Sequence, residues 1–533
     1  MILCDWTGEL AHHPESSSLS GAARASCHNA SKMSDLVHIV GGGLAGSECA
    51  WQLARRGVPV VLHEMRPALP TPAHKSGDLA ELVCSNSLRS DDPLHAAGLL
   101  KREMEAFDSL IIAAARTAAV PAGSALAVDR ERFAAHVTGA LAGHPGVELR
   151  REEVTGIVTD LAGGPGGGPA SGGAGAAGAA IAAGADLVIA TGPLTSPAMA
   201  AALQRLLGSE YLYFYDAIAP IVEAESLDMS RLFWQSRYGK GGDDYLNAPL
   251  DRECYLEFHA ALLAAEVLAP HEFEQAIFFE GCLPIEELAR RGVDTLRYGP
   301  MKPVGLRGPD GRRPWAVVQL RQETLARRQF NLVGFQSRMK WGEQQRVLRL
   351  IPGLEQAAFV RFGQIHRNTF INAPSHLDVC YRVRSAPRVR LAGQITGVEG
   401  YLESAATGLA IGLYLGLERQ GRPVEPLPAA TALGALARHL TESDPRHFQP
   451  ANVNYGLFPE LDESPGKSGR RGAQGRRAAF AERAARELAA WAERQRLPFA
   501  PAPLAALAAA GGCPPGGGDA AAAGQAALAA GAG

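Results

Sequence analysis

Cys84 lies in the polar stretch ELVCSNSLRS, residues 81–90, with Ser85, Asn86, Ser87 and Arg89 beside it. A thiolate is a strong side-chain nucleophile near neutral pH, and neighbouring positive charge or hydrogen-bond donors stabilise it. A second thiol, Cys282 in FFEGCLPIEE, precedes Pro284 and a predicted helix whose N-terminal amides would act on it in the same sense. The other cysteines, Cys4, Cys27, Cys49, Cys254, Cys380 and Cys513, complete a set with no CxxC pair and no metal-like clustering. Neither a disulfide framework nor a metal site is suggested. Taken alone, a single cysteine is more often a small buried hydrophobe than a nucleophile. Cys49, on the apolar face of a predicted helix, reads that way.

Upstream of Cys84 stands GGGLAGSECAWQLARRG, in which Gly41, Gly43 and Gly46 have GxGxxG spacing. The apolar run LVHIV (36–40) before it suits a buried parallel strand. SECAWQLARRG continues with helical spacing to a stop at Gly57, and VPVVLHE is a second strand. Strand, turn, helix and strand together mean a parallel sheet. Bare backbone at Gly41, Gly42, Gly43, Leu44, Ala45 and Gly46, backed by a helix N-terminus, accepts a pyrophosphate. Glu64, at the end of the second strand, accepts ribose hydroxyls. The turn alone fits FAD or NAD. Farther on, VRLAGQITGVEGYLESAATGLAIG (389–412) reads as a strand, a turn containing Gly393, Gly397, Glu399 and Gly400, then a helix of small residues. Such a distant return to the first nucleotide fold completes the site in large flavoproteins and favours FAD, although an ordinary strand-to-helix turn has the same pattern.

These motifs sit in a chain of 533 residues, long enough for several domains, with 47% hydrophobic and 20% charged residues. The formal net charge of −3 leaves no global electrostatic footprint for nucleic acid, so any such partner needs a local basic face. KSGRRGAQGRR (467–477) is one candidate; a solvated linker is its alternative. No apolar run approaches the roughly 20 residues of a membrane span. The first 33 residues lack a secretory pattern, and a cytoplasmic protein is expected.

In series, VHIVGGGLAGSECAWQLARRG, HKSGDLAELVCSNSLRS, FEGCLPIEELARRG, LRYGPMKPVGL, NLVGFQSRMKWGEQQRV, IHRNTFINAP and LAGQITGVEGYLESAATG resemble the folate- and FAD-dependent tRNA uracil-5-methyltransferases, the TrmFO family. The blocks run in family order from about Ser34 to about Pro459. The resemblance implies formation of 5-methyluridine in the T-loop of tRNA. It implies 5,10-methylenetetrahydrofolate as one-carbon donor, FAD as resident cofactor and NAD(P)H as the source of its reducing equivalents. It makes Cys84 and Cys282 the catalytic pair, with Cys84 favoured as the thiolate that adds to uracil C6, so that C5 becomes a carbon nucleophile. No metal and no stable protein partner are implied.

The fold implied is α/β: a Rossmann-like FAD-binding domain, its parallel sheet flanked by helices, interrupted by a smaller α+β insertion domain. The expected divisions are an N-terminal extension (1–33), a discontinuous FAD-binding domain (34–229 and 342–460) carrying a Gly/Ala loop (161–185), an insertion domain (230–341), a basic segment and helix (461–497) and a low-complexity tail (498–533). The extension, loop and tail read as disordered. Trp341 could face the flavin or folate ring or pack in a core. Lys302, Arg321 and Lys340 could contact phosphate or the folate tail, or be solvated. The competing readings are an FAD-dependent protein modifying the tRNA wobble uridine, a flavin disulfide reductase, disfavoured by the scattered cysteines, and a non-catalytic binder with an FAD-type fold.

Overall fold

The structure is a computed structural model that describes residues 36–71, 73–157, 179–181, 185–208, 212–217, 219–268, 283–363, 365–461 and 470–504. The N-terminal extension, most of the Gly/Ala loop, Cys282 and the tail beyond 504 lie outside the described residues, and with them the expectations of disorder.

Short β-branched runs build the first sheet. Its six strands lie in the order Arg382–Val383, Ala386–Leu391, Asp186–Ile189, Val37–Val40, Val60–His63 and Val147–Arg150. All neighbours pair in parallel except the first two. Val37, Ile39, Val61, Leu62, Val188, Ile189 and Leu391 are buried, as a parallel sheet covered on both faces requires. In register, Val40 lies opposite His63 and Ile189, and Ile189 opposite Leu391, so these strands end along one edge.

Helix Leu44–Ala54 follows the glycine turn, and helix Tyr401–Arg419 crosses it closely. A Cβ at Gly408 would lie 2.0 Å from the Ala45 carbonyl oxygen, and one at Gly412 would lie 2.5 Å from Gln52 Cβ. The glycines are what allow this approach. The C-terminal helix, Arg470–Arg494, buries Phe480, Ala484, Leu488 and Trp491 on the same core. Their spacing puts one apolar stripe inward and leaves Arg476, Arg477 and Arg486 outside.

A second, antiparallel sheet has its own core. Its order is Phe233–Trp234, Tyr245–Leu250, Ala316–Gln322, Gln329–Leu332, Ile221–Glu223 and Phe359–Arg361. Helix Arg252–Ala264 covers it with Tyr255, Phe258 and Leu262. Strands Ile221–Glu223 and Phe359–Arg361 lie outside the 230–341 span on either side. The chain leaves the first unit through Leu212–Ala217 and returns through Ile365–Phe370, two strands paired antiparallel with Leu212 opposite Phe370. The architecture is a Rossmann-like parallel sheet with helices, interrupted by a smaller α+β unit. Among the described residues, no helix is long and apolar enough to cross a membrane.

Candidate functional site

At the carboxyl edge of the parallel sheet, where open α/β folds bind their ligands, lies a cleft of about 1010 Å³ with its open mouth. Gly41, Gly43, Leu44, Ala45 and Glu64 line it from one side, and Gly393, Gln394, Tyr401 and Ser404 from the other. Gly41 has φ +105°, and a Cβ there would lie 2.5 Å from the Ala190 carbonyl oxygen. A Cβ at Gly46 would sit 1.9 Å from the Gly41 oxygen. At Gly43, by contrast, a Cβ would meet nothing within 4 Å. The turn is thus tight behind and bare in front, as a backbone cradle for phosphate must be. Glu64 accepts the Gly42 N–H at 2.9 Å and the Arg66 side chain at 2.9 Å. Burial opposes its charge, yet the Arg66 guanidinium and the Arg66 and Gly42 amides hold the carboxyl below its usual range. An ionised acceptor therefore stands beside the cradle, and the residues fit a dinucleotide of FAD type.

The thiol loop abuts this cleft. Val83 lines it, and the Cys84 and Ser85 N–H groups donate to the Tyr401 hydroxyl at 2.6 and 3.2 Å. Three arginines hold the loop from other directions. Arg130 donates to the Leu82 and Cys84 carbonyls at 2.6 and 3.1 Å. Arg361 donates to those of Val83 and Cys84 at 2.8 and 3.0 Å. Arg321 reaches Asn86 Oδ1 at 2.8 Å and Ser85 Oγ at 2.9 Å. One carboxylate, Glu323, faces them, bound to Arg130 at 2.6 Å. Burial works against the charge of all three guanidiniums. It depresses Arg321 and Arg361, while Glu323 with the Tyr401 hydroxyl and Cys84 thiol keeps Arg130 above its usual value. Among the described residues Cys84 forms no disulfide, and the charges of Arg130, Arg321 and Arg361 act on it.

The family profile described as GIDA, Glucose inhibited division protein A, matches residues 36–423. Methylenetetrahydrofolate–tRNA-(uracil-5-)-methyltransferase TrmFO of Moorella thermoacetica (strain ATCC 39073 / JCM 9320) is 56% identical over 433 residues, covering 81% of this chain and 93% of that protein. The chain belongs to the TrmFO family. A TrmFO relative of the same name from Heliobacterium modesticaldum (strain ATCC 51547 / Ice1) is 54% identical over 444 residues, covering 83% of this chain and 96% of its own. Among solved structures, Aquifex aeolicus GidA in the form II crystal superposes with a TM-score of 0.58 at 16% identity, covering 86% of this chain and 74% of that one. At that identity the likeness speaks for the fold alone.

Within this TrmFO-family fold, Gly42, Gly46, Gly397 and Glu399 stand behind the cleft wall. Gly42 and Gly46 shape the turn, Gly397 at φ +93° packs on Phe448, and Glu399 accepts from Gln394 Nε2 at 3.0 Å. Cys282 lies outside the described residues. The helix after it, Ile285–Arg290, has its start occupied: Ile285 N–H donates to the Gln336 carbonyl, and Glu286 and Glu287 fill the first turn. Arg321 is buried on the thiol loop rather than presented to a ligand, and Lys340 pairs at the surface with Glu266 at 2.6 Å. Lys302 is half-buried in the second unit. Trp341 is 57% exposed and stacks on Phe362, neither in a core nor in the cleft lining. Cys49 and Cys380 are buried thiols whose pKa burial raises, in keeping with a packing role. Sequence reading missed Tyr401, Arg130 and Arg361. Tyr401 sits inside a quoted block but carried no signal of its partner, and the two arginines are single charges far from Cys84 in sequence.

Proposed function

We propose that this chain makes 5-methyluridine in tRNA, with 5,10-methylenetetrahydrofolate as carbon donor and Cys84 as the nucleophile. The observation that carries the reading is Tyr401: it lines the glycine cleft while its hydroxyl takes the Cys84 N–H, so cofactor site and thiol share a wall. Gly41 to Gly46 and Glu64 would hold the FAD pyrophosphate and ribose, with Gly393 on the opposite wall. Bound FAD, in its reduced form, would supply the reducing equivalents of methylation, replenished from NAD(P)H.

The chain's own residues do the rest. Uracil C5 is a poor nucleophile until a group adds at C6. The Cys84 thiolate, favoured by Arg130, Arg321 and Arg361, makes that addition and leaves C5 able to attack the one-carbon unit. Tyr401 and the arginines fix the loop so that the thiol is positioned before substrate arrives. Cys282 assists removal of the C5 proton or completes the site. Relatives named for this reaction at 56% and 54% identity favour this reading over the wobble-uridine and non-catalytic alternatives. The test is tritium release from tRNA transcript labelled at uracil C5, with methylenetetrahydrofolate and NADPH, for wild type, Cys84→Ala and Cys282→Ala. Folate-dependent release lost in both variants is the expected result. No release from FAD-loaded wild type overturns the reading.

A further inference from the structure

A second cleft, of about 1650 Å³ with its open mouth, lies beside Ser87–Ser90, the strand that leaves the thiol loop. Arg89, Tyr455, Arg476, Arg477 and Phe480 line it, with Glu460 as the one carboxylate among the described residues of its wall. Arg476 and Arg477 are exposed and, among the described residues, make no hydrogen bond or ion pair. The Tyr455 hydroxyl is buried without a hydrogen-bond partner, and its ring stacks on Phe480 at 5.0 Å. The cleft also receives Ala96 and Ala97, the start of helix Ala96–Ala106, whose His95 N-cap makes no side-chain capping bond. Behind the wall, the buried Lys101 Nζ donates to the Ser90 carbonyl at 2.7 Å.

Apart from Glu460 and from Asp92, whose carboxylate lies 3.9 Å from His95 and acts on Tyr455, these features favour an anion. Unpaired guanidiniums, uncapped helix amides and an orphaned hydroxyl have in common that each lacks an acceptor or a negative charge. The cations come from two elements, Arg89 from strand Ser87–Ser90 and Arg476 and Arg477 from helix Arg470–Arg494, which suits a chain of phosphates better than a single carboxylate. The place is also right. Arg89 Nη1 donates to Glu403 Oε1 at 2.6 Å, and Glu403 is on the same helix start as Tyr401, which holds Cys84. Five residues of extended chain put Arg89 no more than about 17 Å from Cys84, a distance a few nucleotides of backbone span.

We propose that this cleft binds backbone phosphates of the RNA substrate a few nucleotides from the target uridine, with Arg476 and Arg477 as the outer cations and Arg89 with the helix amides as the inner site. The proposal rests on the reading of the substrate as RNA.

The experiment measures binding of unmodified tRNA transcript to FAD-loaded protein across a salt series, for wild type, Arg476→Gln/Arg477→Gln, Arg477→Lys, Arg477→Glu and the surface control Arg132→Gln. The double variant should keep its FAD and melting temperature, bind tRNA about tenfold more weakly, and lose about one to two units of the slope of log K on log salt. Arg477→Lys should retain most of the affinity and Arg477→Glu should lose more than a neutral residue does, while Arg132→Gln should match wild type. An unchanged slope and affinity in the double variant overturns the proposal. So does a raised KM for methylenetetrahydrofolate with tRNA binding untouched, which would give the cleft to the acidic folate tail. Failure of the RNA reading itself looks different: wild-type protein would then bind no tRNA at any salt.

Discussion

The glycine cleft and the thiol loop touch through Tyr401, yet they are built on opposite principles. The cleft is backbone: its shape comes from positions where a Cβ has no room or would block the front, and its phosphate cradle lies within one strand–turn–helix–strand unit, backed by Ala190 and faced by Gly393 to Ser404. The thiol loop is side chains brought from afar, with the Tyr401 bond closing 317 positions of chain and the Arg361 bond closing 277. A site of the first kind is rigid once its local unit forms. A site of the second kind is only as good as the packing of two separate cores. The contrast predicts that binding and chemistry can be damaged independently.

Cys84→Ala should give the largest effect: turnover falls by on the order of 10⁴-fold or more, while the absorbance of bound FAD stays at the wild-type ratio to protein. Loss of FAD in that variant would break the separation. Gly46→Val tests the converse. Its Cβ would meet backbone 1.9 Å away, so the turn must open. Purified protein should be colourless and less stable by about 1–3 kcal/mol in urea unfolding, with the Arg361 and Arg130 contacts to the loop left in place.

Arg361→Met should act on chemistry with the cofactor retained. Removing one charged donor from two part-buried carbonyls costs about 1–3 kcal/mol, which reads as roughly 5- to 160-fold in turnover. Alkylation of Cys84, mapped by mass spectrometry, should need a higher pH than in wild type; an unaltered pH profile would deny the arginines their part in favouring the thiolate.

The smallest effect concerns Lys101, which anchors the strand after the loop. Burial lowers its pKa from 10.5 to about 7. Between those values the unfolded chain binds the proton and the folded chain does not, so stability rises with pH through that window. Lys101→Met should flatten this rise in melting temperature between pH 7 and 10, and an unchanged slope would show that the ammonium stays charged in the fold.

The same contrast decides what the sequence could reveal. The parallel strands were legible as LVHIV and VPVVLHE because both faces of such strands are buried, and the glycine spacing was legible because a tight turn tolerates little else. Glu64 followed from its place at a strand end. The returning segment could be read as strand, turn and small-residue helix, and Gly408 and Gly412 explain why those residues are small. Tyr401, Arg130 and Arg361 could not be read, because nothing local distinguishes a tyrosine or arginine that meets a loop hundreds of residues away from one facing water. Arg321 and Lys340 make the point together: the sequence offered both the same choice between a ligand contact and solvent, yet one is buried under Cys84 and the other sits in a surface ion pair.

The paired strands Leu212–Ala217 and Ile365–Phe370 impose an order in time. A growing polypeptide emerges N-terminus first, so the phosphate cradle is synthesised early, whereas its facing wall, from Gly393 to Ser404, appears only after the whole antiparallel unit has been made. Until helix Tyr401–Arg419 is complete, the nascent chain carries half a pocket. Cofactor capture is therefore a closing step of biogenesis, and a translation product truncated in that last third is expected to carry a folded antiparallel unit and no flavin.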